Sequence, residues 1–245
     1  MKEKDILLEI HKGNTGTGLL LENDGYASLE MKENKMLKES IDDFKNGMAH
    51  ELPRPFVVSA VFQKYGVKNA NGRIYPEDVL KREVEKYQQM IKDRRAFGEL
   101  EHPTQTSINL ERVCMNVIEL HWIGRTLVGK MELPITEGFR RYGICSNFAD
   151  TVAQWLVSGL KIGVSSRAIG SVQQDGGNLV VSSDMELLAF DVVGAPSTPN
   201  AYLSTTDEAL RPYIEESIDK KQDKSSLNES FNDDKLSKFD SWLNT

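Results

Sequence analysis

From Pro55 to about Leu203 the apolar positions recur at the intervals of regular secondary structure, and on either side of that stretch they do not. Residues 56–62 read as a β-rich run, followed by a turn around Asn69-Ala70-Asn71-Gly72. A helix is expected to open at Pro76, whose fixed φ suits a helix start, with Glu77 and Asp78 in its first turn. Leu80, Val84, Tyr87 and Ile91 then recur at helical spacing and give that helix one buried face. Residues 113–122 and 126–133 read as strands. The pattern places a second helix with its cap at Asn147 and Asp150 three residues on; it buries Phe148, Val152, Trp155 and Leu156 and stops at Gly159. Residues 161–172, 179–183 and 185–193 read as further strands.

Many short strands with two helices among them argue for an α+β fold: a closed or strongly curved, mostly antiparallel sheet with helices outside it, rather than an alternating parallel α/β fold. Residues 1–54 form an N-terminal arm, expected to be partly ordered, which runs through Gly13-Asn14-Thr15-Gly16-Thr17-Gly18 into a charged stretch. The glycines there are spaced as in a phosphate loop, but Leu19-Leu20 follows where Lys-Ser/Thr is required, so a turn is the reading. Residues 55–205 form the folded domain, and 206–245 read as a helix followed by an acidic, polar tail.

A chain of 245 residues with a net charge of −7 is large enough for one sizeable core and has the wrong sign for phosphate-driven nucleic-acid binding. Cys114 and Cys145 are its two cysteines, without a Cys-x-x-Cys pair, which points to a reducing compartment. No apolar run reaches the roughly 20 residues of a membrane span, and Met1-Lys2-Glu3-Lys4-Asp5 does not open a signal peptide. A protein that stays in the cytosol, with no membrane or nucleic-acid partner, is therefore expected.

Three places break the local pattern. His102 sits in Gly98-Glu99-Leu100-Glu101-His102-Pro103; a lone histidine beside a proline is more often a turn or a satisfied core residue. A zinc site would need more ligands than Glu99 and His102 supply, so neither metal nor cofactor is expected. Ser165 and Ser166 lie in Gly163-Val164-Ser165-Ser166-Arg167, inside a β run. Strand alternation puts Ser165 and Arg167 on one face and Ser166 on the other, so one serine alone can face a given site. The hydrolase elbow Gly-x-Ser-x-Gly is absent, because Arg167 stands where the second glycine belongs. Asp191 is the sole charge in residues 187–193 and, once buried, needs a cation or hydrogen-bond donors. A structural salt bridge meets that need, and so does the orienting of a histidine.

Together, Asn71-Gly72-Arg73-Ile74-Tyr75-Pro76, Gly98-Glu99-Leu100-Glu101-His102-Pro103, Gly163-Val164-Ser165-Ser166-Arg167 and Phe190-Asp191-Val192-Val193 with Pro196-Ser197, Pro199 and Ala201 resemble the prohead core proteases of myovirus-type tailed bacteriophages. Those enzymes resemble in turn the herpesvirus maturation protease assemblin, a serine protease with a β-barrel surrounded by helices, and the resemblance implies that fold. It implies Ser165 as nucleophile and His102 as general base, with Asp191 where related phage proteases place their acid; the herpesvirus enzymes use a second histidine there. Arg167 is a candidate for the oxyanion or for an acidic substrate, and Ser166 is the alternative nucleophile.

The resemblance further implies a prohead maturation serine endopeptidase acting inside the assembling prohead, in the host bacterial cytoplasm. Its substrates are scaffold or core proteins, the major capsid protein and itself, cut after a glutamate preceded two positions earlier by Leu, Ile or sometimes Ala. Of 21 glutamates here, six follow that rule with Leu or Ile: Glu9, Glu22, Glu39, Glu137, Glu216 and Glu229. Glu39, Glu216 and Glu229 are each followed by serine in a flanking segment, and are the candidate self-cleavage sites. The herpesvirus relatives leave a homodimer open. A reading of a different class is a non-catalytic inner-core assembly protein of the same fold; loss of His102 or Ser165 would favour it, and both are present.

Overall fold

A computed structural model of the chain describes residues 19–21, 43–44, 46 and 51–205. The segments carrying Glu39, Glu216 and Glu229, and the helix expected after residue 205, lie outside the described residues. The strands are β1 (Leu19–Leu21), β2 (Phe56–Lys64), β3 (Arg73–Ile74), β4 (Phe97–Glu99), β5 (Val113–Ile123), β6 (Thr126–Leu133), β7 (Gly163–Ile169), β8 (Val172–Asp175), β9 (Asn178–Val181) and β10 (Glu186–Val193). The helices are α1 (Glu77–Lys92), α2 (Glu137–Tyr142) and α3 (Phe148–Val157), with a 3-10 turn at Leu110–Arg112.

The strands pair into three sheets, ordered β1-β7-β10, β2-β6-β5-β4 and β3-β9-β8, with β2, β6, β7 and β10 buried along most of their length. All ladders are antiparallel except β3 on β9. The mixed architecture with mainly antiparallel sheets is as expected, but the ladders do not form one closed sheet. Single bridges join the sheets β2-β6-β5-β4 and β1-β7-β10 instead. Leu100 pairs with Val192 beyond the end of β4, and the chain returning after β10 pairs Tyr202 with Gly163 and Ser204 with Ser59. The single strand expected over 161–172 is two: after Ile169 the chain leaves β10 and turns into the β8–β9 hairpin, which pairs with β3. The three-residue β4 and the six-residue α2 carry too few residues for a period to show, and sequence reading passes over both.

Helix α1 starts where Pro76 and the acids Glu77 and Asp78 place it, and buries Leu80, Val84 and Tyr87, with Ile91 partly covered. Its stripe lies against β10: the Tyr87 and Phe62 rings meet Phe190 edge-on, with centroids 5.3 and 4.9 Å away. Each such side chain, fully buried, contributes about 1.5–3 kcal/mol. Glu83 ties the helix to the strand by accepting the Leu187 N–H at 3.2 Å. Burial pulls the Glu83 carboxyl upward, but Lys86, Arg82 and that N–H outweigh it and hold the group below its ordinary range.

Helix α3 begins at Asn147, whose side chain accepts the Asp150 N–H at 2.8 Å. Its buried arc differs from the expected one. Ala149, Val152, Ala153 and Val157 are covered, while Phe148, Trp155 and Leu156 are half-buried. The arc is turned because Asp150 points inward and receives the N–H and hydroxyl of both Thr136 and Ser146, at 2.7–3.1 Å. Burial pushes the Asp150 carboxyl up, yet these four donors prevail and hold it below the usual value. A lowered folded-state value means the stabilisation is complete above the unfolded pKa of about 4 and is lost as pH falls through the folded one. Asp150→Ala is therefore expected to cost about 2–4 kcal/mol at pH 7, and clearly less at pH 3. Urea unfolding of both proteins at the two pH values measures it; equal losses would refute the ionic part.

Candidate active site

The register of β7 on β10 builds the centre of the site. Ser165 lies opposite Asp191, Ser166 opposite Phe190 and Arg167 opposite Ala189. Directly opposed residues share a face, as do residues two apart, so Ser165, Arg167 and Asp191 point to one side and Ser166 to the other. All four are buried. On the far side the Ser166 hydroxyl accepts from Gln63 Nε2 at 3.0 Å, and Gln63 Oε1 accepts from the Thr198 hydroxyl at 2.7 Å. Ser166 thus belongs to a buried polar network between β2, β7 and the loop after β10.

His102 reaches this face from the end of β4. A Cβ on Gly98 would stand 2.1 Å from the Phe190 carbonyl oxygen, so this approach of β4 to β10 requires glycine. Past β4, the Glu101 N–H donates to the Val192 carbonyl at 2.7 Å, and the Glu101 carboxylate accepts the Gly194 N–H at 3.0 Å. Glu101 takes a left-handed φ of 61°, a conformation costing about 1 kcal/mol or more for a residue with a Cβ. The turn presents His102, whose Nδ1 lies 2.8 Å from Asp191 Oδ2. The ionised carboxylate accepts there, which assigns the proton to Nδ1 and leaves the Nε2 lone pair free to take one. His102 Nε2 is buried without a hydrogen-bond partner among the described residues.

Asp191 has the donors a buried carboxylate requires. The Glu99 N–H donates to its Oδ1 at 2.9 Å and Arg167 Nη2 donates to the same oxygen at 3.2 Å. Arg167 Nε stands 2.9 Å from Oδ2 as an ion pair, without hydrogen-bond alignment. The guanidinium also donates to Glu99 Oε1 at 3.1 Å and, through Nη1, to the Gln105 carbonyl at 2.9 Å. Glu99 Oε1 accepts the Asn109 N–H at 3.1 Å, and Arg112 Nε lies 3.5 Å from Glu99 Oε2. Tyr87 and Cys114 border the cluster; burial first, then the Asp191 charge, pushes their hydroxyl and thiol far up, so both stay neutral.

The fold thus brings His102, Asp191, Ser165 and Arg167 together and turns Ser166 away. Arg167, the candidate for the oxyanion or an acidic substrate, is 0% exposed and donates to two carboxylates, Asp191 and Glu99, and to the Gln105 carbonyl. The Glu99 carboxylate faces Arg167, and His102 Nδ1 faces Asp191. Sequence reading missed the roles of Glu99, Glu101 and Gln63. An acid at either side of Leu100 next to the histidine was the available signal for the first two; nothing marked Gln63.

The family of prohead core protein serine proteases matches residues 19–209 of this chain. The prohead core protein protease of Enterobacteria phage T4 is 27% identical over 150 residues, spanning 60% of this chain and 67% of that relative. The solved structure described as the bacteriophage T4 capsid assembly protease, gp21, superposes with a TM-score of 0.56 at 22% identity, over 75% of this chain and 100% of the other. That likeness bears on the fold.

Proposed function

Because the chain belongs to the prohead core protein serine protease family, we propose that Ser165, His102 and Asp191 are its nucleophile, general base and orienting acid. The observation that carries this reading is the 2.8 Å contact of His102 Nδ1 with Asp191 Oδ2, on the face where Ser165 stands opposite Asp191 in the ladder.

In this mechanism the Ser165 oxygen attacks the scissile carbonyl carbon while His102 Nε2 takes the hydroxyl proton. The C–N bond then breaks, and the same proton passes to the leaving amine. Water repeats the two steps on the acyl-enzyme and regenerates Ser165. Asp191 holds the Nδ1–H tautomer and balances the imidazolium as it forms. The edge of β7 away from β10 is taken by β1, which lies antiparallel on it with Leu21 opposite Arg167. The substrates in this reading are scaffold or core proteins, the major capsid protein and the chain itself, cut after glutamate in the prohead within the host cytoplasm. We extend the proposal to an assemblin-like barrel: the circuit β2-β6-β5-β4-β10-β7 is completed by residues 201–204, and supporting it are the bonds Glu101 N–H to Val192 O at 2.7 Å, Val164 N–H to Ala201 O at 2.8 Å and Ser59 N–H to Ser204 O at 2.7 Å.

The test is a fluorophosphonate, which couples covalently to an activated serine, applied to the full chain. Intact mass should rise by one adduct, located on the peptide containing Ser165, and the untreated chain should shorten after Glu39, Glu216 or Glu229 while the treated chain keeps its length. An adduct on Ser166 would move the nucleophile, and neither adduct nor shortening would remove the serine mechanism.

A further inference from the structure

We propose that Glu99 is a positioning residue of the reaction: by holding Arg167 between itself and Asp191, it sets the net charge that a protonated His102 meets. The inference rests on His102 and Asp191 acting as proposed above, and goes beyond it by giving a task to two buried charges that the mechanism leaves unused.

Two carboxylates, Asp191 and Glu99, surround one guanidinium, Arg167, and the side chains of all three are 0% exposed. Such ions persist in a core only when paired and hydrogen-bonded, and each is: Arg167 to Asp191, Glu99 and the Gln105 carbonyl; Asp191 to the Glu99 N–H; Glu99 to the Asn109 N–H. Within this trio one negative charge is left over, and it faces the imidazole at Asp191, while Arg112 approaches Glu99 at its other oxygen. Arg167 alone beside Asp191 would cancel the carboxylate and leave an imidazolium nothing to pair with. Glu99 takes up that positive charge from the other side.

The remaining neighbours do not upset the balance. Tyr87 from α1 and Cys114 from β5 stay neutral, and Ser165 from β7 carries no charge. Arg112, from the 3-10 turn, sets its buried Nε 3.5 Å from the other Glu99 carboxylate oxygen, Oε2, and its charge is the same in every variant compared below. Geometry adds to charge. Arg167 reaches the Gln105 carbonyl, three residues past His102, and the Glu99 backbone holds Asp191 Oδ1; the same pair fixes the acid and the loop that presents the base.

A merely structural role and a charge-setting role predict different pH profiles. Glu99→Gln keeps the shape but leaves Asp191 and Arg167 neutral as a pair, so the imidazolium loses its counter-charge and the acid limb of kcat/KM should move to lower pH, by roughly half to one unit. Arg167→Gln leaves two negative charges, and the limb should move to higher pH by a similar amount. The double variant restores one surplus charge, and its profile should return close to that of the wild type. Shifts in the same direction, or none, in variants that circular dichroism shows to be folded would overturn the proposal.

Profiles are read on a quenched-fluorescence peptide spanning residues 35–43. The same titrations followed by NMR at the His102 ring nitrogens, in a Ser165→Ala background, require no turnover. They should show the same opposite displacements, and equal midpoints would overturn the proposal even if the peptide is not cut. Should Arg167→Gln not fold, Arg167→Lys, which keeps the charge, should leave the midpoint within a few tenths of a unit while Glu99→Gln still lowers it; equal behaviour of those two would count against it. Ser165→Ala and His102→Ala cutting as well as wild type would fail the catalytic reading separately.

Discussion

Ser165→Ala should lower peptide cleavage by at least about 10,000-fold, and Ser166→Ala by less than about tenfold. The two serines are adjacent and equally buried, so neither exposure nor composition separates them. The ladder does. Opposite Asp191, the Ser165 hydroxyl projects to the side where His102 Nε2 lies without a hydrogen-bond partner among the described residues. Opposite Phe190, Ser166 accepts from Gln63 in a network closed by Thr198. Removing the Ser166 hydroxyl leaves a buried amide N–H short of its acceptor, which costs about 1–3 kcal/mol of stability without touching the reacting atoms. The two variants should thus separate cleanly, one folded and inactive, the other active with a lower urea midpoint. A dead Ser166→Ala beside an active Ser165→Ala would move the reaction to the other face of β7.

Gly98→Ala should unfold or misassemble the domain, with a loss of more than about 3 kcal/mol and, in whatever folds, roughly 100-fold slower cleavage. The added methyl would lie 2.1 Å from the Phe190 carbonyl oxygen and 2.4 Å from the Met115 Cε. A methionine end can swing aside; a carbonyl in the middle of β10 cannot. Relief requires β4 to move off β10, which breaks the Glu99 N–H to Asp191 contact and carries His102 away from its acid. Gly138→Ala is the control: at the start of α2 its nearest neighbours are 3.7 and 3.8 Å away, so it should change stability by less than about 1 kcal/mol. Equal unfolding midpoints for Gly98→Ala and wild type would mean that the two strands do not meet this closely.

How much of this could be read from the chain varies with the range of the interaction. Strand alternation alone separated Ser165 and Arg167 from Ser166, because a face is a property of neighbours in sequence. Asp191 announced its need for donors, since a single charge in an apolar run has no other way to be buried. Which donors would come was not legible: Arg167 and the Glu99 N–H arrive through the register of β10 on β7 and on the end of β4, and register is set by pairing across the fold. Alternation puts Arg167 on the side of Ser165 but does not say what lies above that side, so its contacts with Asp191 and Glu99 are not legible in the sequence. The turned arc of α3 has the same origin, for hydrophobicity expects Trp155 and Leu156 inside, and the partners of Asp150 settle the rotation.

The contacts that make the site are also widely separated along the chain. His102 and Asp191 are 89 residues apart, Glu99 and Arg167 68, and Gln63 and Thr198 135. During synthesis, a nascent chain that has passed Ser165 but not Asp191 carries both a serine and a histidine yet has nothing to align the one with the other, and β7 still lacks the neighbour that sets its register. Loop closures of this length come late in folding and together. In the proposed mechanism the polypeptide therefore gains its power to cut only as its last sheet strand docks, and a fragment ending ahead of residue 191 should be as inert as a point mutant.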